Sequence, residues 1–245
     1  MKMLGALVVV VVLVMGLAPA LAAAYDVGPV ADGGTVSGKV LFKGEVPKPK
    51  RMLIAKNKEV CGEGEREIVD VAVKGGALAN AVVVIDGIAK GKAWALPQAK
   101  PLLDQKGCRF IPYLMVVPRD GDLDILNSDP VLHNIHTYEI IGSARRTLFN
   151  LGQPDQGKKL NKPVKLRSGE WIKVECDAHD FMHAWMYAAR SPYVAISGED
   201  GSFSIGDVPP GKYKVRALHP VLGAKEGELT VPAKGRAEIT LELAR

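Results

Sequence analysis

Cys176, His179 and Met182 fall within one seven-residue stretch, Cys176-Asp177-Ala178-His179-Asp180-Phe181-Met182, and His133 lies about forty residues upstream. A thiolate, two imidazoles and a thioether are donors that can hold a single copper ion. The sulfur ligands suit Cu(I), and imidazole suits both oxidation states. A loop closed onto a neighbouring strand can build such a site with little movement between redox states. Asp177 and Asp180 read as rim charges, because hard carboxylates match a soft donor set poorly. Met182 has two rivals as the fourth donor, His183 and Met186. His136, three residues after His133, tends to the opposite face of a strand and reads as structural or surface. His219, far along the chain in Leu218-His219-Pro220, reads as unrelated to the site.

The elements that must position these donors read as strands almost throughout. Thr35 to Phe42 is a Gly-punctuated strand, followed by a Pro/Lys-rich turn at 46–50 and an apolar stretch at Ile68 to Val71. Ala81 to Ile85 is β-branched and reads as a buried strand. Residues 89–107 have weak periodicity and are expected to be a long connection with a helical turn. Tyr113 to Val117, Leu123 to Asn127, His133 to Ile141 and Val164 to Leu166 read as further strands, with turns at 118–121 and 167–169. In Trp171 to Cys176 the alternation puts Ile172, Val174 and Cys176 on one face, so the thiol points with the apolar side chains. Five more short strands, separated by turns such as Glu199-Asp200-Gly201 and Pro209-Pro210-Gly211, run from Tyr193 to Leu243 and indicate a second sandwich.

Residues 1–24 have the form of a secretory signal: Lys2, an apolar run from Leu4 to Leu17, and small residues ending at Ala24. A retained anchor is the other reading of the same run. Periplasmic or secreted localisation is therefore expected. About 220 residues remain after the signal, which suits two small β domains. The net charge is +5, but the lysines and arginines are scattered and lack interleaved aromatics, which argues against a nucleic-acid face. Three cysteines in an oxidising compartment leave one over. Cys61 and Cys108 are expected to form a disulfide, and Cys176 to be the odd thiol, kept as thiolate by a metal.

Two resemblances follow from these motifs. Residues from about 108 to 190 resemble the cupredoxins of the plastocyanin/amicyanin group, in His133-Asn134-Ile135-His136 and in the Cys-x2-His-x2-Met loop. The resemblance implies a Greek-key sandwich that shuttles single electrons. It also implies His133, Cys176, His179 and Met182 as copper ligands, and Asn134 as the residue whose amides steady the ligand loop. Asp180 departs from the pattern, since a Pro often follows the second His there. Residues 193–245, through Glu199 to Ile205 and Val208 to Tyr213, resemble the carboxypeptidase regulatory-like (transthyretin-like) sandwich. Residues 34–42 resemble that family's first strand, which leaves open a discontinuous sandwich with the cupredoxin unit inserted.

The resulting expectation is an all-β chain. Its parts are a signal at 1–24, an N-terminal β region at 30–100, a cupredoxin domain at 101–190 and a regulatory-like sandwich at 191–245. One copper ion carries single electrons between redox partners such as a c-type cytochrome or a membrane redox complex, and contact with a membrane runs only through a partner or an uncleaved anchor. His179 is expected to be the partly exposed edge for electron entry, with Phe181, Met182 and Trp185 as an apolar docking surface. The alternative is a copper delivery or partner-recognition module without electron shuttling. No His-x-His pair occurs, and five histidines cannot add a trinuclear cluster, so the chain is expected not to be an enzyme.

Overall fold

A computed structural model describes residues 25–95 and 100–245. The expected signal segment at 1–24 lies outside the described residues, as do residues 96–99 of the connection. The fold is nearly all β, as expected. Among the described residues, no helix is long and apolar enough to cross a membrane.

One sandwich is built on a sheet of five strands and a sheet of four. The five lie in the order Leu114–Pro118, His183–Ala189, Trp171–Glu175, His133–Ile141 and Ala144–Gln153. The four lie in the order Phe110–Ile111, Leu102–Gln105, Asp122–Asn127 and Lys159–Pro163. Period-2 alternation explains the central strands. In Trp171–Glu175, Ile172 and Val174 are fully buried, and Cys176 continues the same face. Ile125, Ile135 and Met186 meet them in the core. One carboxylate is buried here, and its desolvation is offset because both oxygens have donors. Glu139 takes Arg146 on one oxygen and the Ser168 and Gly169 amides on the other. Burial alone would raise its pKa, but these hydrogen bonds outweigh it and bring it to about 2. Gly169 is needed at that turn, since a Cβ would sit 2.3 Å from the Ile140 carbonyl oxygen.

A second sandwich draws on both ends of the chain. One sheet has the order Val194–Ile196, Val82–Ile85, Gly211–His219 and Gly223–Val231. The other joins Ser202–Val208, Gly34–Lys43, Ala77–Leu78 and Val73–Lys74, with Arg236–Ala244 running parallel to Gly34–Lys43. The two sandwiches meet through Val82, Val84 and Leu218 on one side and Leu114, Tyr187 and Ala189 on the other. Arg216 braces this junction by pairing with both Asp86 and Glu170.

The strand readings needed four adjustments. Residues 89–107 hold two short strands, Lys90–Gly91 and Leu102–Gln105, where a helical turn was expected. The strand expected at Val164 to Leu166 ends at Pro163. Ala144–Gln153 gave no readable alternation, and a register shift opposite Thr137 and Tyr138 breaks its pattern. Residues 50–68, expected with the N-terminal region, instead pack Ile54, Cys61 and Ile68 into the core of the first sandwich.

Cys61 and Cys108 form the expected disulfide, closing a sequence separation of 47 residues. Its removal by Cys61→Ala/Cys108→Ala is expected to lower unfolding free energy by about 2–4 kcal/mol, measured by denaturant titration. His219 is buried in the second sandwich, and desolvation pushes its pKa down to about 4. Between pH 6.5 and 4 the unfolded chain therefore binds a proton that the folded chain refuses. Stability is full above that window and falls as pH drops through it, by up to about 3 kcal/mol. The difference in stability between wild type and His219→Gln should follow that slope. A pH-independent difference would show that His219 is not the group responsible.

Candidate metal centre

Three of the expected donors converge at one buried end of the first sandwich. His133 begins the strand His133–Ile141, and Cys176 directly follows the strand Trp171–Glu175 beside it. His179 lies on the loop that leads to the strand His183–Ala189. Ring nitrogens of His133 and His179 and the sulfur of Cys176 all lie within 4.8 Å of one another. The His133 and His179 Nδ1 atoms are 3.2 Å apart, and Cys176 Sγ is 3.7 Å from His179 Nδ1. All three residues are at most 3% exposed. The loop is closed by its own backbone: the Met182 amide donates to the His179 carbonyl, and the Cys176 amide to the Met182 carbonyl.

The outer nitrogens decide what this geometry can do. His133 Nε2 lies 2.8 Å from Asp129 Oδ2, an acceptor, so in the neutral ring the proton sits on Nε2 and Nδ1 presents a lone pair. His179 Nε2 lies 3.0 Å from Asn57 Oδ1, which imposes the same tautomer. Two lone pairs then face each other at 3.2 Å with a thiol beside them, all out of water. A soft cation satisfies this arrangement, and the donor set fits copper. Burial lowers the pKa of His179, and the nearby His133 adds to the shift. Burial likewise pushes the Cys176 thiol up, against the pull of backbone amides from Asn134, Ala178 and His179. A bound cation is what would hold this sulfur as thiolate.

Asn134 joins the two segments. Its amide donates to Cys176 Sγ at 3.3 Å, and its side-chain oxygen accepts from the Asp177 amide at 3.2 Å. Asp129, in the segment just before the His133 strand, was not among the residues singled out in the sequence. It accepts from the amides of Gly107 and Cys108 as well as from His133. Burial pushes its carboxyl up, but these hydrogen bonds prevail and keep it below the usual carboxylate range. Its spacing four residues before His133 was a usable signal. Asn57 carried none, being 122 residues from its partner.

Of the rivals for the fourth position, Met182 and Met186 are both buried. His183 is committed elsewhere, with Nε2 2.9 Å from Asp70 and 3.4 Å from the Tyr113 hydroxyl. His136 lies on the outer face, bonded to Asp177, Thr147 and Tyr138. Asp177 and Asp180 are exposed at the rim. The expected electron-entry edge is corrected: His179 is 2% exposed, and Phe181 and Met182 are buried as well. Asn57 bonds His179, and Ile54 and Cys61 share the core of Phe181 and Met182, so these three form no open docking surface, while Trp185 is half-buried.

The site is thus a buried Cys/His centre at one end of a β-sandwich. No family model matches the chain, and no curated protein matches it. Among solved structures, it resembles a purple cupredoxin from Nitrosopumilus maritimus at 15% identity, over 37% of this chain and 100% of that one, with TM-score 0.31. Amicyanin from Paracoccus versutus aligns at 8% identity over 44% of this chain and 97% of its own, also with TM-score 0.31. A copper-containing nitrite reductase from Thermus scotoductus SA-01 aligns at 16% identity with TM-score 0.30; the match covers 40% of this chain and only 24% of the reductase. Likenesses this partial carry no functional conclusion for the chain. The expectation that the chain is not an enzyme is corrected to this extent: a copper-containing nitrite reductase, an enzyme, stands among the structures it resembles, so that expectation is not kept.

Asp129→Asn should weaken copper binding by about 10–100-fold, the usual effect of removing the partner behind a ligating imidazole. Competition against a Cu(I) chelator reads this directly. Unchanged affinity would remove Asp129, and with it His133, from the centre.

Proposed function

We propose that the chain is an exported type 1 copper protein that carries single electrons between redox partners. One observation carries the reading: two imidazole lone pairs and one unpaired thiol converge on a buried point, with both outer nitrogens already bonded. In this reading His133 and His179 would hold copper through Nδ1, Cys176 through its thiolate and Met182 through its thioether. Copper held there supplies a one-electron couple. The chain's part is to keep the donors still. Asp129 and Asn57 lock the rings, and the Asn134 amide holds the sulfur. A donor set acceptable to both oxidation states then needs little rearrangement on electron transfer.

Partners of the proposed carrier are a c-type cytochrome or a membrane redox complex in the periplasm or outside the cell. The sandwich built from the two chain ends, regulatory-like in its turn motifs, would supply contacts with such a partner. The signal-like segment at 1–24 supports export in this reading.

Copper-loaded protein should show an intense visible charge-transfer band, reversibly bleached by ascorbate, and an EPR signal with narrow copper hyperfine splitting. Cys176→Ala should abolish the band. A colourless protein that holds only Cu(I) and yields it to a chelator would contradict electron shuttling.

A further inference from the structure

The covering of His179 is a built feature. Lys50–Leu53 and Glu65–Ile68 form an antiparallel hairpin, and its tip, with the short helix Lys58–Cys61, lies over the ligand loop. Several ties hold it there. Ile54, Cys61 and Ile68 enter the core that contains Cys176, Phe181 and Met182. The disulfide joins Cys61 to Cys108, and both sulfurs lie within 4.8 Å of a ring nitrogen of His179. The Arg66 guanidinium donates to the carbonyls of Cys61, Gly107 and Cys108 and lies 4.8 Å over the Phe181 ring. At the tip, Asn57 has left-handed backbone angles, φ 49° and ψ 44°. Asparagine tolerates that conformation better than most residues.

The orientation of the Asn57 amide follows from its neighbours. Its nitrogen reaches Glu59 Oε1 at 3.5 Å, the outer limit of a hydrogen bond, which leaves Oδ1 turned to His179 Nε2 at 3.0 Å. A neutral imidazole carries its proton on one nitrogen or the other. An acceptor fixed at Nε2 selects the tautomer whose Nδ1 lone pair points at Cys176 and His133. The two histidines are thus backed unequally, His133 by a carboxylate and His179 by a neutral amide.

We propose that Asn57 is a positioning residue for His179. It fixes the ring's tautomer and orientation, and the disulfide-tied hairpin that carries it closes this edge of the centre against metal exchange. The proposal rests on His179 being a metal ligand. It moves control of the edge from the ligand loop to a segment more than a hundred residues away.

Asn57→Gly is the informative variant, because glycine accepts the left-handed backbone and removes only the side chain. Asn57→Asp keeps an acceptor in place. The first readout is nitrogen-15 NMR of metal-free protein with labelled histidine, at a pH where the rings are neutral. Wild type should show His179 as the Nε2–H tautomer with a slowly exchanging ring proton. In Asn57→Gly that proton should exchange about tenfold faster or broaden away, a loss equal to one hydrogen bond. Asn57→Asp should restore it. The second readout is release of Cu(I) to a chelator, expected to be about 10–100-fold faster in Asn57→Gly and close to wild type in Asn57→Asp. An unchanged tautomer and exchange rate in Asn57→Gly overturns the positioning role, and unchanged release overturns the closure. Should neither wild type nor variant bind copper, the electron-carrier reading fails on its own, while the ring-proton readout still decides the Asn57 contact.

Discussion

Two imidazole lone pairs held face to face beside a thiol, away from water, are the constraint on which the rest depends. Left alone, such an arrangement is electrostatically unfavourable, since each nitrogen lacks the donor that a buried acceptor needs. The surrounding protein stabilises it by committing every outward atom first. Asp129 and Asn57 accept hydrogen bonds from the ring N–H groups, and the Asn134 amide donates to the sulfur. Asp129 is itself fixed by the Gly107 and Cys108 amides, and Cys108 is half of the disulfide that ties down the covering hairpin. The donors of the centre, the turn at 107–108 and the hairpin therefore form one connected assembly.

This connection explains why the chain runs as it does. The strands that carry His133 and Cys176 are adjacent and antiparallel, with His136 opposite Glu175, so the two ligand segments leave the sheet at the same end. The hairpin at 50–68 is threaded between strands of the second sandwich, yet its apolar residues enter the core of the first. Strand Gly34–Lys43 before it and strands Val73–Lys74 and Ala77–Leu78 after it, all in one sheet of the second sandwich, anchor both ends of that excursion. The second sandwich thus does more than sit beside the centre, because the segment that covers His179 belongs to its connection.

Much of this was readable in the residues. Alternation in Trp171 to Cys176 gave the direction of the thiol, and donor clustering gave the ligand loop. Cysteine parity in an oxidising compartment gave the Cys61–Cys108 pair. What stayed hidden was set by distance along the chain. Nothing local distinguishes Asn57 from any polar loop residue, since its meaning comes from a partner 122 residues on. The exposure of His179 was misjudged for the same reason: the loop composition describes a rim, and only the tertiary position of 54–62 turns that rim into an interior. Ala144–Gln153 escaped because a register irregularity interrupts the period that identifies a strand.

The central claim is that one ion is held jointly by His133, His179 and Cys176. X-ray absorption at the copper edge of the loaded full-length protein tests it most directly. The account predicts one short copper–sulfur bond together with two imidazole nitrogens in the first coordination sphere. A sphere of nitrogen and oxygen atoms with no short sulfur bond would contradict it.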